Sequence, residues 1–254
     1  MIKYLHEELL HNLDSPNEIV PEVIKIINPK SVVDVGCGTG TFLHCFKNNG
    51  VDHILGLDGK WANKDLLFKH ITPSEFKEVN LEEKIQVKEK FDLVVSLEVA
   101  EHLSEKSADL FVDNLVNLAG NNGVILFSAA IPGQGGQNHI NEQWLTYWED
   151  KFSNHGYELK DVLRPVFWNN KKVFWWYKQN MVFFTHKEFQ FNMDLNEMPK
   201  ELRNIVHYEC FEQKSAQSLL SNSIFRIKSS VKNILIIAIG HSNFQKIRSS
   251  IKKE

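Results

Sequence analysis

The stretch from Ser31 to Gly40, SVVDVGCGTG, constrains the fold more than any other part of this chain. Its valine-rich start predicts a buried β-strand. Three glycines follow at alternate positions, Gly36, Gly38 and Gly40. Glycines here let the backbone turn sharply, and they let a ligand lie against the N–H groups at the start of a helix. The stretch therefore predicts a nucleotide-type cleft at the carboxyl end of a central strand.

An acidic residue just before these glycines, Asp34, distinguishes the turn from a dinucleotide site. The dinucleotide fingerprint is G-x-G-x-x-G, and the helix that follows it faces a pyrophosphate. Here the spacing is D-x-G-x-G-x-G, and a carboxylate beside the ligand repels phosphate and attracts a cation. The alternative without function is an empty strand, turn and helix of some other α/β protein.

This spacing resembles motif I of the class I methyltransferases that depend on S-adenosylmethionine (SAM). The resemblance implies that the turn binds SAM through its α-ammonium group and that S-adenosylhomocysteine is the product. The residues of the turn that are implied to contact SAM are Asp34, Gly36, Cys37, Gly38 and Gly40.

The predicted second strand, residues 53–58, ends in a second acid, Asp58. The two oxygens of a carboxylate suit both ribose hydroxyls of an adenosine ligand, although NAD sites use an acid in the same way. Gly59 follows this acid. Trp61 either lies on the adenine face or is an ordinary packing residue.

A third strand is predicted over residues 75–79 and is followed by Asn80 and Leu81. The resemblance implies that an amide at this position meets the adenine amino group. The competing role for Asn80 is a helix N-cap, because Glu82 and Glu83 follow in the next turn.

The segment at residues 91–103 resembles the methyltransferase pattern F-D-x-V-x-x-x-E-V-x-E-H-L. It combines a predicted fourth strand, residues 91–97, with a turn before a helix predicted over 104–119. The resemblance implies that the methionine end of SAM is lined by Ser96, Leu97 and Glu98. It also implies that Glu101 and His102 face the reaction centre, although His102 alternatively only caps the next helix.

A long loop rich in amides follows the predicted fifth strand, residues 124–128, and leads into a helix predicted over 142–154. Such a loop lies over the ligand at the carboxyl edge of an α/β sheet. It resembles the H-x-N-x-Q-W tract of methyltransferases associated with surface-polysaccharide assembly. His139 is the predicted general base, because imidazole has a near-neutral pKa; the alternative is a histidine that only holds the loop backbone. The predicted substrate contacts in this tract are Asn138, Asn141, Gln143 and Trp144.

Two closing strands are predicted, at residues 157–165 and 181–185, with a dense aromatic segment between them. Trp175 and Trp176 are candidate platforms for the apolar face of a sugar, and packing is the alternative. Arg164 is a candidate ligand for a phosphate or carboxylate.

Composition excludes several classes of protein. The net charge of −3 does not indicate a protein that binds nucleic acid. Three cysteines without disulfide or metal spacing fit a reduced, cytoplasmic protein. The first residues do not resemble a signal peptide, and no apolar run has the length of a membrane span. Asp, His and Asn side chains near the predicted site could bind a divalent ion. No ligand spacing supports such a site, so no metal site is predicted.

The alternation of strands and helices predicts a doubly wound, mostly parallel α/β sheet. The resemblance implies a seven-stranded Rossmann-like sheet in the order 3-2-1-4-5-7-6, with one antiparallel strand. We predict a methyltransferase domain over residues 1–187, with N-terminal helices over 1–28 and the core over 29–187, and a basic helical extension over 188–254. From residue 214 onward the net charge is +7, so the remainder carries −3 − 7 = −10. This extension is expected to dock on the acidic body, to form a homodimer or to contact an anionic membrane surface.

The sequence therefore predicts a SAM-dependent O-methyltransferase. The expected acceptor is a hydroxyl of a sugar, a nucleotide sugar or a phosphorylated precursor of a capsular or surface polysaccharide. Methylation of a phosphoryl group, of a small metabolite or of the nitrogen of an amino sugar remains open. A non-catalytic SAM-binding scaffold is the alternative from another class.

Overall fold

The computed structural model describes residues 12–220 and residue 223. The part of the predicted basic extension after residue 223, and the part of the predicted N-terminal helices before residue 12, lie outside the described residues. The described part of the N-terminal segment contains one helix, α1 (Asp14–Ile27). Pro16 lies in its first turn, where the missing N–H costs nothing, and Pro21 lies inside it.

One seven-stranded sheet has the order β3-β2-β1-β4-β5-β7-β6, as predicted. Only β7 runs against its neighbours, pairing antiparallel with both β5 and β6. The strands are β1 (Ser31–Val35), β2 (His53–Asp58), β3 (Phe76–Glu78), β4 (Leu93–Leu97), β5 (Val124–Ser128), β6 (Tyr157–Lys160) and β7 (Val182–His186).

Helices flank the sheet and connect its strands. They are α2 (Thr41–Asn48), α3 (Lys64–Leu67), α4 (Ala108–Ala119), α5 (Leu145–Ser153), α6 (Leu163–Phe167) and α7 (Trp175–Asn180). Single 3-10 turns occur at Pro73–Glu75, Ala100–His102, Glu105–Ser107 and Lys200–Leu202. Residues 208–220 are also helical.

The central strands are buried on both faces, which explains their continuous apolar sequences. In β1, Val32 packs in the hydrophobic core of one face and Val33 in the core of the other. β5 alternates in the same way, with Val124 on the first face and Ile125 on the second. Because almost every side chain of such a strand is buried, β-branched and other apolar residues predominate, and Asp34 is the charged exception within β1.

Several predicted elements differ from the observed ones at their ends. The predicted strand over residues 157–165 stops at Lys160, and α6 begins three residues later. The predicted helix over 142–154 begins at Leu145, because residues 142–144 remain part of the preceding loop.

The chain divides into two compact units, residues 1–207 and residues 208–254. The sequence predicts this division after residue 187. The first unit extends further because Phe189, Phe191 and Leu195 pack against one of the two cores, and Met198 N–H donates to the Asp161 carbonyl. Among the helices that the structure describes, none is both long and apolar enough to cross a membrane.

Arg164 is a structural residue, and its predicted role as a substrate ligand is wrong. Its guanidinium is 1% exposed and forms a two-pronged ion pair with Asp161, with Nε 2.8 Å from Oδ1. The same guanidinium donates to the carbonyls of Gln179, Leu202 and Arg203. Five bonds therefore occupy this side chain and fasten α6 to α7 and to the segment before His207.

We expect Arg164→Ala to lower the free energy of unfolding by about 3–5 kcal/mol, because it leaves the buried Asp161 carboxylate without its partner. Urea denaturation measures this change. Lys64→Ala is the matched control, since the Lys64–Glu78 pair is about half exposed and should contribute less than about 1 kcal/mol. Equal losses in the two variants would contradict the structural role of Arg164.

Candidate functional site

The candidate site lies at the carboxyl edge of the sheet, where the ends of β1, β2 and β4 meet. These strands are parallel and adjacent, so the turns that follow them share one edge. The loop after β5 joins this edge, because Gln143 N–H donates to Ala130 and Glu98 N–H donates to Ser128. The sequence motifs around Gly36, Glu98 and His139 therefore converge, although they are far apart in the chain.

The glycine turn after β1 has the backbone that the sequence predicts. Gly36, Gly38 and Gly40 all have positive φ, at 87°, 55° and 77°. A Cβ atom on Gly36 would lie 2.4 Å from Cγ2 of Val99, so a side chain would clash as well as strain the backbone. The N–H groups of Gly36 and Cys37 donate to the Leu57 carbonyl at 2.7 and 3.2 Å, which joins the turn to the end of β2.

Asp58 fastens this turn through its side chain. Its Oδ2 accepts the N–H of Gly38 at 2.7 Å, and its Oδ1 accepts the N–H of Gly59 at 2.6 Å. The indole of Trp61 also hydrogen-bonds to this carboxyl group. The same indole covers Gly59, where a Cβ atom would lie 2.3 Å from the ring. Burial raises the pKa of Asp58, although these three hydrogen bonds oppose the rise.

Asp34 is the more unusual of the two acids. Its side chain is 4% exposed, and among the described residues it has no ion-pair partner. Burial, and then the charge of Asp58, raise the pKa of Asp34 to about 8. A desolvated carboxyl beside a second carboxyl is a site that a bound cation would stabilise.

The other residues predicted to line the cofactor site lie near the same edge, and they differ in burial and in hydrogen bonding. Asn80 Oδ1 accepts the N–H of Glu82, and its Nδ2 donates to Glu83 at 2.8 Å, so the side chain caps the turn after β3. Leu81 and Leu97 are buried. Ser96 Oγ is also buried, without a hydrogen-bond partner in the described chain.

Glu98 is held in a network of amides. Its backbone has a positive φ of 55°. One carboxyl oxygen accepts Nδ2 of Asn180 at 3.0 Å, and the other accepts Nε2 of Gln134 at 2.8 Å. The amide of Gln179 donates to both of these amide side chains, and its own oxygen accepts the N–H of His207. Burial raises the pKa of Glu98, against the lowering effect of these hydrogen bonds.

Glu101, His102 and His139 form a compact cluster beside this network. The rings of the two histidines meet edge to face with centroids 4.8 Å apart. His139 Nε2 lies 4.0 Å from Oε1 of Glu101, whose side chain is fully buried. Burial first, and the charge of Glu98 second, raise the pKa of Glu101 well above its usual value. Burial and His139 lower the pKa of His102 to about 4.

The loop after β5 places His139 by backbone contacts. The N–H groups of Ile140 and Asn141 both donate to the Glu101 carbonyl, at 2.9 and 3.0 Å. Gly136 has no side chain at the point that the imidazole occupies, since its Cβ would lie 2.2 Å from His139 Nε2. Glu142 accepts from His139 Nδ1 at 3.0 Å. A carboxylate at Nδ1 selects the tautomer whose Nε2 carries a lone pair.

The other predicted substrate contacts surround this cluster or lie on α7. Asn138 has a positive φ of 62°, and Gln143 donates to Oδ1 of Asn141. Asn141 is buried, and its Nδ2 has no hydrogen-bond partner in the part of the chain described. Trp144 is 37% exposed at the start of α5.

Trp175 and Trp176 pack partly on aromatic neighbours. Their own rings meet edge to face, and the Trp176 ring stacks on Phe174 with centroids 4.4 Å apart. Both indoles remain partly exposed. Their role as a sugar platform stays a prediction.

Sequence reasoning missed four polar residues of this edge: Gln134, Glu142, Gln179 and Asn180. Gln134 and Glu142 lie inside the amide-rich loop after β5. Their position in that loop is the sequence feature from which a role in the site could have been predicted. Gln179 and Asn180 end a helix whose aromatic residues dominate its sequence. Their burial is decided by the pairing of β7 with β5, which no local pattern reveals.

Comparison with known proteins assigns this arrangement to a family. A family model described as a methyltransferase domain matches residues 2–182. Ribosomal protein L11 methyltransferase of Lactobacillus johnsonii is 33% identical over 108 residues, which is 41% of this chain and 32% of that protein. The chain thus matches about a third of the length of this curated relative.

Two solved structures share the fold at low sequence identity. The sugar N-methyltransferase KedS8 from Streptoalloteichus aligns over 74% of this chain and 96% of its own, with a TM-score of 0.57 and 13% identity. DesVI of Streptomyces venezuelae aligns over 72% of this chain and 100% of its own, with a TM-score of 0.55 and 12% identity.

We expect Asp34→Asn to stabilise the ligand-free protein at neutral and alkaline pH. Unfolded Asp34 titrates near 3.8 and folded Asp34 near 8, so the folded state holds one proton more between these values. Raising the pH across this window therefore destabilises the native protein but not the variant. Chemical denaturation at pH 5 and pH 8 should show the advantage of the variant growing by a few kcal/mol. Parallel pH profiles would contradict the raised pKa, and Asp150→Asn, at an exposed acid, is the control.

Proposed function

The chain belongs to the methyltransferase domain family, and from that premise we propose that it methylates a hydroxyl of a sugar or of a sugar-linked, phosphorylated precursor. The enzyme class is a SAM-dependent methyltransferase, with S-adenosylhomocysteine as the product. The acceptor, and its place in a capsular or surface polysaccharide, are the proposed part.

The residues of the glycine turn fit SAM. Asp34 is a buried acid without a cationic partner among the described residues, and the α-ammonium group would supply that charge. Asp58 has two carboxyl oxygens beside the glycine N–H groups, in position for ribose hydroxyls. The Trp61 indole borders this acid, and we propose that it contacts the adenine.

When bound, SAM supplies an electrophilic methyl carbon on a sulfonium sulfur, which keeps the electron pair of the broken S–C bond. The acceptor oxygen forms the new C–O bond and must lose its proton. His139 is suited to accept that proton at Nε2, because Glu142 occupies Nδ1 and fixes the ring. The remaining catalytic contribution of the protein is to align the acceptor with the methyl carbon.

The observation that carries the acceptor proposal is the position of the His139 loop. Its residues lie against the Glu101 backbone at the edge that holds the glycine turn. Asn141 brings a buried amide whose Nδ2 has no acceptor among residues 12–220, and sugar hydroxyls are acceptors for such a group. The exposed Trp144 adds an aromatic surface, and the partly exposed indoles of Trp175 and Trp176 are further candidates.

Other acceptors remain as alternatives. KedS8 is described as a sugar N-methyltransferase, which favours the nitrogen of an amino sugar as the second candidate. A phosphoryl group or a small metabolite would accept the methyl group from SAM bound at the same site, but it would contact different residues of the loop after β5. A scaffold that binds SAM without turnover is the remaining class, and an assay of methyl transfer separates it from the enzymes.

Asp34→Asn should weaken SAM binding at least tenfold, because the amide keeps the shape of the carboxyl but loses its charge. Isothermal titration calorimetry at pH 8, where more of the native Asp34 is ionised, measures this change. Asp150→Asn should bind as the native protein does. Tight binding of NADH with no binding of SAM would contradict the donor assignment.

His139→Ala should leave SAM affinity unchanged and lower methyl transfer by a factor of about 100 or more. The assay is a mass-spectrometric screen of SAM turnover against nucleotide sugars, phosphorylated sugars and amino sugars. His155→Ala removes another partly exposed, acid-paired histidine and should retain full activity. Full activity in His139→Ala would refute the role of this imidazole, and turnover with amino sugars alone would establish nitrogen as the acceptor.

A further inference from the structure

Three potential metal ligands converge from two segments that are distant in sequence. Glu101 and His102 belong to the 3-10 turn after β4, and His139 belongs to the loop after β5. Each offers one ligand atom, and the three atoms all lie within 4.8 Å of one another. Ligand atoms of a single cation are separated by about 3 Å when each lies at about 2.0–2.2 Å from the metal. Small side-chain rotations would therefore bring the three atoms onto one ion.

The backbone around the cluster is already fixed. The two N–H bonds from Ile140 and Asn141 to the Glu101 carbonyl hold both segments together. Gly136 leaves room for the imidazole of His139. Glu142, at Nδ1 of that imidazole, also accepts the N–H groups of Gly133 and Gly135 at 2.8 and 2.6 Å. A carboxylate at the second nitrogen of a histidine is the usual support for a histidine that ligates metal.

Glu101 gives independent evidence for a bound cation. Its side chain is 0% exposed, and no hydrogen bond of normal geometry reaches either carboxyl oxygen within the described residues. Its ion-pair partner there is His139, at 4.0 Å. A fully buried acid whose cationic partner lies 4.0 Å away is costly. Glu98 does not share this property, because Gln134 and Asn180 bind both of its oxygens.

We propose that Glu101, His102 and His139 bind one first-row divalent cation, of which Mn2+ and Zn2+ suit the ligands. Two imidazole nitrogens and one carboxylate oxygen favour such ions over Mg2+, which prefers oxygen ligands. Three protein ligands leave coordination positions open for an acceptor hydroxyl. No ligand spacing in the sequence indicates this metal site, because the third ligand comes from a separate loop.

The role of this cation rests on the proposed function. A bound cation would lower the pKa of a coordinated acceptor hydroxyl, so that its proton could leave to water without a protein base. In this form of the enzyme His139 is a ligand and no longer the proton acceptor. The cation also compensates the buried charge of Glu101.

Metal binding is tested without methyl transfer. The full chain is treated with chelator, desalted and titrated with Mn2+, while electron paramagnetic resonance measures the free ion; Zn2+ is then added as a competitor. We expect one equivalent of bound cation in the native protein. We expect at least tenfold weaker binding in Glu101→Gln and in His139→Ala. Gln has the shape of Glu and should not unfold the chain, which circular dichroism verifies.

Two control variants remove a histidine and an acid that lie outside the cluster, and they retain Glu101, His102 and His139. His155→Ala and Glu158→Gln change residues outside the cluster and should bind the cation as the native protein does. Absence of stoichiometric Mn2+ and Zn2+ binding, or equal binding in the cluster variants, would overturn the metal site. SAM calorimetry on the same samples tests the donor site separately, so failure of one proposal is distinguishable from failure of the other.

Discussion

Buried carboxyl groups at one edge of the sheet are the constraint on which the rest of this molecule depends. Asp34 and Glu101 are removed from water, and neither has a strong partner within the described residues. Burial of an acid costs free energy unless a charge or hydrogen bonds compensate it. Asp58 differs, because the N–H groups of the glycine turn already bind it. A positively charged ligand at either acid would therefore be stabilised at this edge.

Each of the two proposed ligands would compensate one of these acids. The ammonium group of SAM suits Asp34, and a divalent cation suits Glu101 with its two histidines. Their sites are brought to one edge because β1 and β4 are parallel neighbours. Glu98 lies in the turn after β4, between these two sites in the sequence of the motif. Its carboxyl oxygens already accept hydrogen bonds from Gln134 and Asn180. This division of roles explains why adjacent acids of one motif have different surroundings.

The local pattern of the sequence predicted the sheet well, for a physical reason. Strands buried on both faces produce valine-rich runs, and the glycines after β1 are forced by positive φ and by Val99. The anion-site prediction for Arg164 is wrong because a lone arginine near the end of a predicted strand has no partner that the local sequence identifies. Its true partner, Asp161, is only three residues away, and burial of that pair depends on packing of the segment near Leu202. Nothing local distinguishes these two cases.

The sequence predicts those parts of the site whose residues are contiguous in the chain. The glycine turn and the segment from Glu98 to His102 were found as single stretches. The contact between Glu101 and His139 was not predictable in this way, because it depends on backbone bonds between two loops. The same holds for Asn180, which reaches Glu98 only because β7 pairs with β5.

A crystal structure with S-adenosylhomocysteine tests the central claim most directly. The account predicts the α-ammonium group within hydrogen-bond distance of Asp34, and the ribose hydroxyls at Asp58. The sulfur should face the edge that carries Glu101 and His139. Binding elsewhere on the chain, or an ammonium group that does not approach Asp34, would contradict the account.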